Sequence, residues 1–248
     1  MMKWIHTMAS SAWFYRFSGK MIPWLTLPFI VLFLYGLYGG LVTAPADYQQ
    51  GDAFRIIYIH VPAAWMSLFI YVVMAVYGFI ALVWRIKLAE VLLISSAPIG
   101  AAFTFLALVT GSLWGKPMWG TWWSWDARMT SELLLLFLYW GVMGLYAAIE
   151  DKRTASKAVS ILALVGVINI PIIHYSVEWW NTLHQGSTIT MTDKPSMHID
   201  MLIPLLVMAV AFKLYYAIAL LLRVRAELVE REPNSKWLKQ VLKEGHYE

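Results

Sequence analysis

The sequence predicts an all-α integral membrane protein, a six-transmembrane-helix bundle with a tryptophan-rich segment at one membrane interface. Three observations predict it. Hydrophobic residues make up 60% of the chain and charged residues 14%, too apolar a balance for a soluble domain of 248 residues. Six segments reach the roughly 20 apolar residues that cross a bilayer. Lysine and arginine collect in alternate connections between those segments.

The spans fall at 21–42, 62–84, 91–113, 129–149, 158–177 and 201–222. The first follows Lys3, Arg16 and Lys20, and Ala44, Pro45 and Ala46 imitate a cleavage site. Its apolar stretch is too long for the core of a signal peptide, so a retained anchor is expected. Gly36 and Gly40 in this span form a G-x-x-x-G, which reads as close helix packing. Pro62 suits the first turn of span two and would set His60 at its mouth. Pro98 and Pro171 interrupt spans three and five and predict kinks. Asn169, two residues before Pro171, reads as a donor to a freed carbonyl. Glu132 stands about one turn into span four; it is either a functional buried acid or a side chain snorkelling to the interface.

Residues 1–222 thus form the membrane domain, and 223–248 a cytoplasmic amphipathic tail. In that tail Trp237, Leu238, Val241 and Leu242 share one helical face, with Lys236, Lys239 and Lys243 around it. Such a helix is expected to lie on anionic lipid or to dock on a cytoplasmic partner. Basic residues set the orientation. Lys3, Arg16, Lys20, Arg85, Lys87, Lys152, Arg153, Lys157 and six more from Arg223 onward lie on one side of the membrane. Arg55, Lys116, Arg128 and Lys194 lie on the other, and Lys213 is inside span six. The positive-inside rule places both termini in the cytoplasm and the loops at 43–61, 114–128 and 178–200 outside. It also accounts for the net charge of +4 without a nucleic-acid partner.

The chain has no cysteine, which excludes disulfides, thiol redox chemistry and a C-x-x-C-H site for covalent haem. Its most unusual stretch is WGKPMWGTWWSWDAR, residues 114–128, with five of the fourteen tryptophans. If residues 119–126 are helical, Trp119, Trp122, Trp123 and Asp126 share one face, with Trp125 pointing elsewhere. That face forms a platform for a flat aromatic ligand or an aromatic belt among the lipid headgroups. Four of the six histidines, His60, His174, His184 and His198, gather at the outer surface, and none lies at mid-membrane. His60 opens span two, and His184 follows Trp179 and Trp180. Haem suits this inventory: it is planar, carries two carboxylates, and takes imidazole at its iron. Arg55, Lys116 and Arg128 are the candidate partners for its propionates.

WGKPMWGTWWSWDARMTSELLL resembles the tryptophan-rich signature of the WWD-domain haem-handling family of cytochrome c biogenesis, in particular its haem exporter protein C branch (cytochrome c maturation protein C). APADYQQG, YIHVPAAW, APIGAAFTF and PIIHYSVEWWNTLHQGST extend the resemblance along nearly the whole chain. The resemblance implies a bacterial inner-membrane protein with its tryptophan segment in the periplasm. It implies His60 and His184 as axial ligands of haem b, and Trp114, Trp119, Trp122, Trp123, Trp125 and Asp126 as the haem platform. It also implies a periplasmic membrane-anchored haem chaperone as recipient, an ABC transporter's ATPase and permease subunits, and a small single-span membrane protein.

The expected function is therefore haem presentation and export for c-type cytochrome biogenesis, by a non-enzymatic component. The alternatives are a b-type cytochrome subunit of a quinone-linked oxidoreductase and, ranked lowest, a permease for another aromatic solute. The absence of a mid-membrane histidine argues against the cytochrome, which usually holds haem between span interiors. GSLWGK, residues 111–116, imitates a phosphate loop but has the wrong glycine spacing and lacks the following Ser or Thr. Any ATP-driven step belongs to another subunit.

Overall fold

A computed structural model describes residues 10–184, 186 and 194–244. Lys3, His6, Gln185 and His246 lie outside the described residues. Six helical runs among the described residues are long and apolar enough to cross a membrane. Helix α1 (Ser11–Tyr38) continues into a π-helical turn, Gly39–Thr43. A 3₁₀ turn, Asp52–Ile56, leads into α2 (Ile57–Trp84). Then come α3 (Lys87–Trp119) and α4 (Ala127–Ala148). Span five is made by α5 (Lys152–Gly166) and α6 (Asn169–Trp179). Helix α7 (Ile199–Arg231) and a short α8 (Lys236–Glu244) complete the chain.

Helices α2 and α3 are the centre of the bundle and pack along each other. Their buried side chains, Met66, Ile70, Met74 and Leu93, interlock with Leu135 of α4 and with Leu205 and Met208 of α7. The G-x-x-x-G acts as expected: Gly36 lies against Met208 and Gly40 against the Tyr58 ring. Pro62 does not open α2, contrary to the expectation. The 3₁₀ turn already holds Ile56 in helical backbone (φ −61°, ψ −21°), so the helix begins at Ile57. His60 consequently sits within the first turn and not before it.

Helix α3 runs without a break through Pro98. Pro171 does interrupt span five. It has no N–H for the Val167 carbonyl, which accepts from Ile170 N–H at 3.0 Å, and the helix divides there. Asn169 does not serve its own span. Its Nδ2 donates to the Ser131 carbonyl of α4 at 2.9 Å, tying the break to a neighbour. Lys213 is exposed on the outer flank of α7.

The tail folds back on the bundle, so its apolar face is not wholly left for lipid or a partner. Leu238 is buried, and the Trp237 ring packs 5.3 Å from Tyr15. Glu232 organises this end. It accepts from Trp237 Nε1 at 2.5 Å and Ser11 Oγ at 2.8 Å, and pairs with Lys87 Nζ at 2.8 Å. Burial pushes its carboxyl up, but these donors outweigh burial and hold it below the usual carboxylate range. A depressed folded-state pKa stabilises above the unfolded value of about 4.3 and stops doing so as pH falls through the folded value. Glu232→Ala is therefore expected to release α8, read as faster tryptic cleavage at Lys236 and Lys239 in detergent. Acidification should act in the same direction, and an unchanged cleavage rate in the variant would refute the clasp.

Candidate functional site

At the end of the bundle away from the tail, α3 stops where Gly120 turns left-handed (φ 74°), its N–H bonded to the Lys116 carbonyl. The chain then runs without helix to Asp126, whose Oδ1 accepts Met129 N–H at 2.8 Å and caps α4. This corrects the helical-face expectation. Trp119, Trp122, Trp123 and Asp126 cannot form a single stripe, because the backbone leaves the helix between the first and the rest.

The tryptophans are distributed instead. Trp114 meets the edge of His60 with ring centroids 5.6 Å apart, and its Nε1 donates to Gln50 at 2.9 Å. Trp119 lies 4.8 Å from the His184 ring. Trp123 packs against Trp125 at 5.4 Å and keeps a buried Nε1 without a hydrogen-bond partner among the described residues. Trp122 and Trp125 are exposed, with Lys116 Nζ 5.8 Å from the Trp122 ring.

Beside these rings is a small cavity of about 50 Å³. Helix α2 contributes His60 and Ala64, α3 contributes Ala107, Leu108 and Gly111, and α4 contributes Arg128, Met129 and Glu132. His184 closes it from the segment after α6. Two histidines far apart in the chain thus line one space. His174 and His198 do not. His174 is exposed against Tyr175, and His198 caps α7 by accepting Asp200 N–H.

The hydrogen-bond network assigns the tautomer of both cavity histidines. Thr110 Oγ1 gives its single proton to the Leu106 carbonyl at 2.6 Å. Toward His60 Nδ1, 3.0 Å away, it can only accept. The His60 proton is therefore on Nδ1, and Nε2 keeps its lone pair. His184 Nδ1 stands 3.3 Å from Asp126 Oδ2, an acceptor only, so its Nε2 is free as well.

Asp126 is held in turn by Thr182, which donates at 2.7 Å and also accepts His184 N–H at 3.1 Å. Burial raises the Asp126 carboxyl, but bonds from Met129 N–H, Thr182 and His184 overcome it and keep the group below its usual range. Burial, aided by Arg128, lowers His184 against the pull of Asp126. The pair is thus a carboxylate behind a neutral imidazole.

The Arg128 side chain lines the cavity, in the field of the Glu132 and Asp126 carboxyl groups. Arg55 does not reach it; its guanidinium bonds Asp52 at 2.9 Å and the Gly40 carbonyl at 3.0 Å. Glu132 is 8% exposed and accepts from Ser67 Oγ at 2.7 Å, so it is a buried acid and does not snorkel. Sequence reasoning missed Thr110, Gly111 and Thr182. Helical spacing held the signal for the first two, which stand one turn before Trp114 on the same helix.

No group of three or more His, Asp or Glu suited to a bare metal ion occurs among the described residues. The donors fit a metal that brings its own equatorial ligands and needs only axial nitrogens. Fold and site together define a multi-pass helical membrane protein with a two-imidazole cavity at one end. The family model for Heme exporter protein C matches residues 4–239. Heme exporter protein C of Escherichia coli (strain K12) is 52% identical over 247 residues, 99% of each chain. That of Haemophilus influenzae is 50% identical over 239 residues, 96% of this chain and 97% of its own. A putative cytochrome c biosynthesis ccmC-like mitochondrial protein of Marchantia polymorpha is 47% identical over 189 residues, 76% of this chain and 80% of its own. The chain belongs to the heme exporter protein C family.

Proposed function

We propose that this protein holds haem b in the cavity between His60 and His184 and presents it for c-type cytochrome assembly. The observation that supports this reading is that two imidazoles distant in the chain, each with Nδ1 engaged by a neighbouring side chain, line one cavity. Iron would take both as axial ligands, as haem proteins do. Trp114 and Trp119, each packed on one of the histidines, offer apolar flanks to the macrocycle. Arg128 supplies the cation for a propionate.

The same reading places the cavity in the periplasm of a bacterial inner membrane and both termini in the cytoplasm, following the basic residues. The recipient is a membrane-anchored periplasmic haem chaperone. ATP hydrolysis comes from an ABC transporter's ATPase and permease subunits, with a small single-span protein beside them. This chain binds and releases, and makes no covalent bond of its own.

The test is the absorption spectrum of the detergent-purified protein and of a His60→Ala/His184→Ala double variant. Wild type should carry low-spin haem, and the double variant should lose at least about tenfold of it, equivalent to about 1.4 kcal/mol. Equal haem content and an identical spectrum in the two would overturn the assignment. Trp123→Ala should reduce haem retention more than Trp24→Ala, because Trp24 is 78% exposed on the flank of α1. Equal losses would return the segment to a headgroup belt.

A further inference from the structure

We propose that the two imidazoles are unequal ligands by construction: His184 is the retaining ligand, His60 the exchangeable one, and Asp126 and Thr110 act as positioning residues that set this order. This rests on the haem reading above. Each ring holds its proton on Nδ1, so the two differ in what stands behind that nitrogen. Behind His184 is a carboxylate. Behind His60 are only neutral groups: the Thr110 hydroxyl, whose own proton is committed to the Leu106 carbonyl, and the Ala107 carbonyl.

A carboxylate behind a metal-bound histidine raises the basicity of the ligating nitrogen. Hydrogen bonds to a charged acceptor are roughly twice as strong as neutral ones. The His184 contact is the longer, 3.3 Å against 3.0 Å. Charge still decides, because the Asp126 side chain is only 5% exposed and its field is weakly screened. Asp126 is also immobilised from two directions, by the α4 cap and by Thr182. His60 has no charged residue behind Thr110, which is bonded to backbone carbonyls of its own helix.

Transfer then has a defined first step. With haem held between the two rings, an incoming neutral nitrogen base would replace His60 at the iron, one Fe–N bond exchanged for another with no electron or proton changing hands. His184 keeps the haem in the cavity until the second bond is exchanged.

The experiment uses the full-length protein with its co-purified haem. His60→Ala should retain at least about tenfold more haem than His184→Ala, a ratio equivalent to about 1.4 kcal/mol. Asp126→Asn should weaken haem binding by about 10–100-fold, the usual effect of losing such a partner, and raise the haem midpoint potential. Asparagine caps helices as well as aspartate, so α4 is kept. Thr110→Val should speed carbon monoxide binding to the reduced protein, and Thr110→Ser should restore the wild-type rate. Equal haem loss in the two histidine variants, or an Asp126→Asn protein with unchanged affinity and potential, would overturn the ordering while leaving the haem reading intact. A wild-type protein that carries no haem would remove both.

Discussion

Gly111→Leu is expected to empty the cavity of haem while the bundle stays folded. A Cβ at residue 111 would stand 3.0 Å from His60 Cε1 and 3.6 Å from its Nδ1. A leucine therefore occupies the space beside the ring and forces the imidazole away from Thr110. The cavity of about 50 Å³ that the two histidines line loses volume beside His60. Folding is protected by the helix itself. Leucine in a helix interior is favoured over glycine by up to about 1 kcal/mol, which offsets local crowding. The haem-to-protein ratio should fall at least about tenfold, equivalent to about 1.4 kcal/mol, with the far-ultraviolet circular dichroism unchanged. Wild-type haem content in this variant would show that the ligand lies elsewhere.

Gly100→Leu should have the opposite character and prevent folding. Its Cβ would fall 2.2 Å from Cε1 and Cζ of Tyr139 and 2.4 Å from its hydroxyl. That ring cannot retreat. It is fully buried, donates to the Ser67 carbonyl at 2.7 Å, and packs edge-on to Tyr71 at 5.1 Å. Overpacking costs about 1–3 kcal/mol, and the stranded hydroxyl costs about 1–3 kcal/mol more. A comparable sum is a large part of the stability of most proteins. The variant should aggregate on detergent extraction, with Gly100→Ala intermediate between it and wild type. A Gly100→Leu protein with the melting temperature of wild type would contradict this packing. Because Ser67 also bonds Glu132, any damage here reaches the floor of the cavity.

Much of the architecture was legible in the chain because lipid imposes a one-dimensional rule. A spanning helix must be long, continuous and apolar, so the spans and the packing role of Gly36 and Gly40 could be read without coordinates. Placement of His60 and His184 near one surface followed from the same rule. The path of residues 120–126 did not. The spacing of Trp119, Trp122, Trp123 and Asp126 matches a helix, and only Gly120 stood against it. A single left-handed glycine outweighs four matching positions, because it redirects the backbone itself. The tail shows the same limit from another side. Its amphipathic pattern marked an apolar face but not the surface that would cover it, and Tyr15 and Glu232 are distant in sequence from Trp237.

By itself the sequence determined the class of protein, its spans, its interfacial tryptophans and the residue types able to hold haem. These depend on composition and periodicity, which each segment carries alone. Tertiary structure alone decided that His60 and His184 line one cavity, that Arg128 faces it while Arg55 is tied to Gly40, and that a hydroxyl stands behind one imidazole and a carboxylate behind the other. Such pairings join separate helices and loops. Their distances are set by how the helices pack, and no local pattern encodes them.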